Sequence, residues 1–131
     1  MITYLVDKNQ KASDIAEVFK NSGIKRPYED LERIQRMVDN ADILITAWEG
    51  EKMIGLARAI TDYSYCCYLS DLAVDKDYQK QGIGRNLITR LQTDLGDECS
   101  VVLISSPIAT EYYPRLGFIK NDKAYVIARK K

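Results

Sequence analysis

Histidine is absent from the 131 residues of this sequence. Without an imidazole, the chain has no Ser-His-Asp or Cys-His nucleophile activation, no histidine-based metal site and no imidazole acid–base catalysis. Cysteine is scarce, and Cys66, Cys67 and Cys99 are an odd number with two adjacent in sequence, which is not the pattern of a disulfide framework. Any chemistry must therefore come from carboxylates, tyrosine, lysine, cysteine or backbone amides, and we expect no metal.

A charge excess and a long apolar run are also missing. The 19 basic and 19 acidic residues cancel, and the only basic cluster is the tail at 129–131, so we expect no nucleic-acid partner. Residues 1–7 lack the basic region and long apolar stretch of a signal peptide, and the apolar runs elsewhere are strand-sized. These features favour a reducing, cytoplasmic setting with no membrane association, and they leave a homodimer open.

The composition that remains is that of a globular protein. Hydrophobic residues make up 46% of the chain and charged residues 29%, in a mass of 15.0 kDa. A chain of this size buries about two-thirds of the surface that it exposes when unfolded. We expect a single domain over residues 1–131, because there is no repeat, linker or low-complexity tract.

Hydrophobic periodicity predicts an α/β domain. The predicted strands are 2–6, 43–48, 53–60, 65–74, 101–104, 118–119 and 124–127. Helices are predicted over 11–20, from Pro27 to about 38, over 83–95 with Gly96 as the stop, and from 107 to Gly117. Because Pro114 lacks an N–H, the last helix should be short or distorted.

The segment Gln79-Lys80-Gln81-Gly82-Ile83-Gly84 lies between a predicted strand and a predicted helix. Glycines allow a tight turn and close approach of a ligand, and the start of a helix offers free N–H groups and a positive dipole end. The segment therefore suits a phosphate group, although two glycines also suit a plain turn. It is not a Walker A loop, because Arg85-Asn86 follow Gly84, and it has too few glycines for a dinucleotide fingerprint.

Two motifs of this sequence resemble two motifs of the GCN5-related N-acetyltransferase (GNAT) superfamily, and they occur in the same order along the chain. The first is Leu72-Ala73-Val74-Asp75 followed by the Gln79–Gly84 loop, similar to the family's acetyl-CoA motif. The second is Ala109-Thr110-Glu111-Tyr112-Tyr113-Pro114-Arg115-Leu116-Gly117-Phe118, similar to its Phe/Tyr-Tyr-x-x-x-Gly-Phe segment. The order of elements agrees over nearly the whole chain. The resemblance implies an antiparallel meander plus a splayed parallel pair of strands, flanked by about four helices.

The resemblance also implies an acetyl-CoA site and roles for its residues. The implied cofactor-binding set is Leu72, Ala73, Val74, Gln79, Lys80, Gln81, Gly82, Ile83, Gly84, Arg85 and Tyr113. An amide near Val74 would polarise the thioester carbonyl, and Tyr113 would protonate the leaving CoA thiolate. We expect Tyr112 to be a core aromatic, and Cys66 and Cys67 to be inert packing rather than nucleophiles.

The general base and the acceptor are less defined. Asp71, Glu111 and Tyr68 are candidate bases, with Asp71 preferred because it directly precedes Leu72, and a water chain is an equal alternative. The resemblance places acceptor recognition around Arg26, Tyr28 and Tyr65, where Arg26 would bind an acidic group of the acceptor. The expected function is direct acetyl transfer from acetyl-CoA to a primary amine of a small molecule or protein. The alternatives are a non-catalytic acetyl-CoA-binding regulatory module and, less favoured, a nucleotide phosphotransferase.

Overall fold

A computed structural model describes all 131 residues, apart from the side chain of Ile108. Its helices are α1 (Ala12–Ser22), α2 (Leu31–Asp39) and α3 (Ile83–Leu95). Its strands are β1 (Ile2–Val6), β2 (Ile43–Glu49), β3 (Lys52–Thr61), β4 (Cys66–Val74) and β5 (Ser100–Val102). None of the helices in the described residues is long and apolar enough to cross a membrane.

The five strands form one sheet in the order β1-β2-β3-β4-β5. Neighbouring strands from β1 to β4 are antiparallel, whereas β4 and β5 are parallel because the chain returns through α3. This is the predicted mixed α/β sheet with an antiparallel meander and a parallel pair. The fold class is confirmed.

Two apolar cores cover the two faces of the sheet. The first lies under α3, where the predicted every-fourth-residue pattern places Leu87 and Leu91 in the interior at 0% exposure. The second lies under α1 and α2 around Phe19 and Ile34, which are also fully buried. Strand β4 contributes Cys67 and Leu69 to the first core and Ala73 to the second. Strict alternation would keep these three side chains on one face, so the change of face reflects the register shift between Leu69 and Asp71 in the pairing with β3. The sheet is therefore a central layer between α3 and the α1–α2 pair.

Helix α2 begins later than Pro27. The carboxylate of Asp30 accepts a 3.1 Å hydrogen bond from the Arg33 N–H and so caps the helix, which starts at Leu31. Pro27 lies in the preceding turn, where its carbonyl accepts from the N–H of Asp30. The prediction that Pro27 occupies the first helical position is wrong, because the capping carboxylate three residues later fixes the start.

The predicted fourth helix is replaced by two short 3-10 turns, Pro107–Ala109 and Tyr113–Leu116. Pro107 is compatible with the start of a helix, but Pro114 lies inside the predicted helix, where it offers no N–H to the hydrogen-bond ladder and interrupts it. The distortion expected at Pro114 is confirmed, and the molecule has three α-helices rather than about four.

The predicted strands over 118–119 and 124–127 are wrong. This segment has no strand structure, and the side chains of Ile119, Tyr125 and Ile127 are at least 92% exposed. Strand β5 also ends at Val102 rather than at residue 104. β-Branched and aromatic residues favour a strand only where a neighbouring strand is there to pair with them, and sequence pattern does not supply that neighbour.

Candidate functional site

The parallel pair of strands separates along β4. Only Cys66–Tyr68 of β4 pair with Ser100–Val102 of β5, although β4 continues to Val74. The second half of β4 therefore has β3 on one side and a gap on the other. This is the splay that the resemblance implies.

Two backbone N–H groups of β4 point into this gap. The N–H of Asp75 donates to the Ile54 carbonyl on β3 at 2.8 Å. Because successive N–H groups of a strand point to opposite sides, those of Leu72 and Val74 are directed away from β3. The carbonyl of Val74, on the same side, accepts a 2.9 Å hydrogen bond from Gln79 Nε2. The gap thus presents donors from β4, and Gln79 fixes the following loop against it.

The loop after β4 leads into an uncapped helix. Lys80 and Gly82 both have positive φ, at 66° and 80°, and α3 starts at Ile83 without a side-chain cap. The first hydrogen bond of the helix runs from the Asn86 N–H to the Gly82 carbonyl, at 3.0 Å. The earlier N–H groups therefore have no partner within the helix and point outward.

The electrostatics of this helix start favour an anion. The first turn of α3 contains no acidic residue, so nothing offsets the positive end of the helix dipole. A side chain on Gly82 would meet no atom within 4 Å, which leaves open space where a ligand could approach the backbone. Arg85 lies in the same turn, and its guanidinium donates to the Arg115 carbonyl at 2.9 Å. Arg85 thereby ties the Tyr113 segment to the start of α3.

Tyr112 lies beside the start of α3, and its ring packs edge-to-face on that of Tyr113, with centroids 5.4 Å apart. The Tyr112 hydroxyl packs so closely on Gly84 that a β-carbon there would be 2.0 Å from it. Tyr113 is partly buried and packs edge-to-face on Phe118, with ring centroids 5.6 Å apart. Burial raises the pKa of Tyr113, Tyr112 adds to the rise, and the charge of Arg26 opposes it. Tyr113 is therefore a phenol that stays protonated at neutral pH.

Known proteins resemble this chain in sequence. A family model described as an acetyltransferase (GNAT) domain matches residues 9–128. The chain belongs to the GNAT family. An uncharacterized N-acetyltransferase, ycf52 of Pyropia yezoensis, is 26% identical over 122 residues, which are 88% of this chain and 68% of that protein. The histone acetyltransferase TAP1 of Glycine max is 37% identical over 75 residues, but these are 53% of this chain and only 31% of the soybean protein.

Solved structures agree on the fold. A probable acetyltransferase, SA2161 of Staphylococcus aureus, has a TM-score of 0.84 at 23% identity, with both chains covered completely. The aminoglycoside N-acetyltransferase AAC(6')-Iy in complex with CoA has a TM-score of 0.73 at 17% identity, covering 100% of this chain and 96% of that one. These two acetyltransferases and this chain therefore share one fold.

The GNAT sequence motifs do not reveal the ionic cluster beside the splay. Asp71 is completely buried, and its two carboxylate oxygens accept hydrogen bonds from Arg26 Nε and Arg58 Nε, each at 2.5 Å. Arg26 also donates to the carbonyls of Lys25 and Ser70, and Arg58 donates to the Ser70 hydroxyl. The cluster joins β3, β4 and the segment between α1 and α2. Arg58 could have been suspected from sequence, because it is the one charge inside the apolar run 53–60.

Ser70 is the extra residue of a β-bulge in β4. The pairing with β3 passes from Arg58 opposite Asp71 to Ala59 opposite Leu69, which leaves Ser70 without a partner residue. Bulges redirect side chains and are frequent next to active sites. Here the bulge lies two residues before Leu72, and the two arginines hold it through the carbonyl and the hydroxyl of Ser70.

The other predicted residues are placed as follows. Tyr28 packs against the core under α1 and α2, so its ring contributes to packing and not to an open ligand site. Tyr65 is 78% exposed at the start of β4 and is available to a ligand. Cys67 is buried, which raises the pKa of its thiol to about 11. Cys66 is exposed overall, and the pKa of its thiol is raised by local desolvation and by the nearby Asp62 carboxylate. Neither thiol has the lowered pKa of a nucleophile.

Proposed function

We propose that this protein is an acetyl-CoA-dependent N-acetyltransferase that transfers the acetyl group directly to a primary amine. The observation that carries the proposal is the uncapped, acid-free start of α3 next to a gap lined by β4 amides. Together they offer a diphosphate site and, along the strand, donors for an extended amide-containing arm. The CoA named with the structurally similar AAC(6')-Iy supports the same ligand.

The residues proposed to hold the pyrophosphate are those of the 79–85 loop and helix start. The N–H groups from Gln81 to Arg85 would donate to the phosphate oxygens, and Lys80 adds a charge from an exposed position. Gln79 has a supporting role, because its side chain already binds the Val74 carbonyl. On β4, the N–H groups of Leu72 and Val74 face the gap, whereas that of Ala73 faces β3. We therefore assign Ala73 a packing role.

Tyr113 is proposed as the general acid. The raised pKa of its phenol keeps a proton available for the sulfur of the departing thiolate. An N–H of β4, at Leu72 or Val74, would hydrogen-bond the thioester carbonyl oxygen and stabilise the negative charge that develops there. The donors belong to a strand held by β3, so they need no rearrangement to do so.

Asp71 is unsuited to the role of general base. Both of its oxygens accept charge-assisted hydrogen bonds, so neither is free to take a proton from an amine. Arg26 is likewise occupied in the protein, with three of its N–H groups donated to Asp71, Lys25 and Ser70. We therefore assign Asp71 to holding the cluster together, and we leave proton removal to solvent.

The proposal is tested by thiol release from acetyl-CoA in the presence of a panel of primary amines. Tyr113→Phe should lower kcat by at least about a hundredfold, the lower end of a general-acid contribution, and this loss should far exceed any loss of acetyl-CoA affinity. Tyr112→Phe is the matched control and should retain most of kcat. Equal kcat in wild type and Tyr113→Phe would remove Tyr113 from the acid role. A protein that binds acetyl-CoA but releases no thiol with any amine would be the alternative regulatory module.

We also propose that the protein works in a reducing, cytoplasmic compartment. It is supported by three cysteines that are all free thiols. The soluble partners it requires are acetyl-CoA and an amine.

A further inference from the structure

The ionic cluster beside the splay carries more positive than negative charge. Its members are Arg26, Arg58 and Asp71, whose side chains are 24%, 9% and 0% exposed. Within the described residues, neither guanidinium has a second carboxylate within 4 Å. The other groups that reach the cluster are neutral: the Ser70 hydroxyl and carbonyl, the Lys25 carbonyl, and the Met37 carbonyl of α2, which accepts from Arg58. One positive charge is therefore left uncompensated.

Arg26 is the residue that supplies this surplus charge. Arg58 and Asp71 are both buried and form a neutral pair by themselves, whereas Arg26 is the most exposed member. Its guanidinium is hydrogen-bonded to the Ser70 carbonyl and the Asp71 carboxylate, the two residues that directly precede Leu72. The charge thus lies next to the point where the first β4 amide enters the gap. From the segment after β5, the phenol of Tyr113 also lies within the electrostatic reach of Arg26.

A lone positive charge at this place matters because the acceptor must react as a neutral amine. In solution near pH 7 an aliphatic primary amine is an ammonium ion, and only its neutral form has the lone pair that attacks a carbonyl carbon. A nearby guanidinium destabilises the ammonium but not the neutral amine. With no histidine in the chain and both oxygens of Asp71 occupied, such repulsion would replace part of the work of a general base.

We propose that Arg26 is an electrostatic positioning residue whose uncompensated charge makes the acceptor amine bind in its neutral form. This rests on the proposed acetyltransferase function. The ammonium releases one proton to solvent on binding, and the neutral nitrogen forms the C–N bond to the thioester carbon as the C–S bond breaks. Tyr113 gives its proton to the sulfur. The nitrogen loses its second proton to solvent, from which Tyr113 is reprotonated, so the net products are an amide, a free thiol and one proton.

Proton release on binding is the direct test. The probes are 2-phenylethylamine, spermidine and a short lysine-containing peptide, each titrated calorimetrically into the protein saturated with CoA. Titrations at pH 7.5 in buffers of different ionisation enthalpy give the number of protons released. The wild type should release close to one proton per reacting amine. Arg26→Gln should release clearly fewer, and Arg26→Lys, which keeps the charge, should restore the release.

The pH dependence of kcat supplies an independent readout that a purely structural role would not move. At saturating amine, the fall of kcat at low pH (its acid limb) reports the pKa of the bound acceptor amine. An aliphatic ammonium ion needs its pKa lowered by about 3 units to be neutral at pH 7.5, and a charge within about 4–6 Å supplies about 1–3 of these units. The acid limb of Arg26→Gln should therefore move up by at least about one unit, and kcat at low pH should fall at least about tenfold. Arg26→Lys should keep the wild-type limb, and Arg36→Gln, an exposed arginine on α2, is the control. Unfolding temperature and CoA affinity confirm that the variants are folded.

The results separate the role of Arg26 from the proposed acetyltransferase function. Equal proton release and an unmoved acid limb in Arg26→Gln would overturn the inference about Arg26 while leaving the acetyltransferase intact. A wild type that acetylates an amine but releases no proton on binding it would do the same. Failure of all three probes to bind or to yield thiol would remove the proposed function, and the role of Arg26 with it.

Discussion

Replacing Asp71 with asparagine should destabilise the protein strongly. The carboxylate is 0% exposed and neutralises Arg58, whose side chain is only 9% exposed. Removing one partner of a buried ion pair leaves the other charge uncompensated and costs about 3–5 kcal/mol. Most of this cost comes from Arg58, because the more exposed Arg26 can turn toward water. Arg26→Gln should therefore cost less, since the Arg58–Asp71 pair survives.

The expected change in melting temperature follows from the size of the chain. At about 2.1 cal/mol/K per residue, the entropy of unfolding is about 0.28 kcal/mol/K, so Asp71→Asn should lower Tm by about 11–18 °C. Urea unfolding followed by circular dichroism gives the free energy directly, and Asp97→Asn, at an exposed position, is the matched control. A loss below about 1 kcal/mol, equal to that of the control, would refute the view that Asp71 neutralises a buried charge.

Further predictions concern the helix start and the loop before β4. Gly82→Val should abolish acetyl-CoA binding in calorimetry, because a branched side chain fills the space beside the amides. The control is Gly96→Val at the other end of α3, where the glycine has a similar positive φ; this variant should lose stability but keep its affinity for acetyl-CoA. Equal affinities in the two variants would contradict the loop assignment. The Asp62 carboxyl accepts hydrogen bonds from the N–H groups of Ser64, Tyr65 and Cys66, which lower its pKa to about 2. The contribution of Asp62 to stability is therefore complete above about pH 4 and is lost as the pH falls toward 2. The pKa of its carboxyl group can be measured by an NMR titration of the carboxyl carbon signal, and a midpoint near the ordinary value of 3.8 would show that these hydrogen bonds are absent in solution.

The parts of the fold that sequence predicts are those encoded locally. Helix α3 and its stop at Gly96 follow from a leucine every fourth residue and one glycine. The hairpin of β2 and β3 and the turn between β4 and α3 follow from apolar runs broken by turn residues. In each case the information lies within about a dozen neighbouring residues, so no distant contact has to be known.

The failures depend on distant contacts. The apolar residues at 124–127 have strand propensity, but no neighbouring strand pairs with them. Asp71 has the sequence position of a base, yet its partners Arg58 and Arg26 are 13 and 45 residues away in the chain. Sequence can place Asp71 beside the gap, but only the packed structure shows that its oxygens are occupied. The strand–loop–helix at the start of α3 is thus largely readable from sequence, and the ionic cluster beside the gap is not.

The most direct test of acetyl-CoA binding at this site is a titration of the ¹⁵N-labelled protein with acetyl-CoA, followed by amide NMR. Binding between β4 and the start of α3 should give saturable shifts of the N–H signals from Gln81 to Arg85 and of those of Leu72 and Val74, with little change at the remote amides of β1. Saturation without shifts at these positions, or no saturation at all, would contradict binding of the cofactor between the splayed strand and the start of α3.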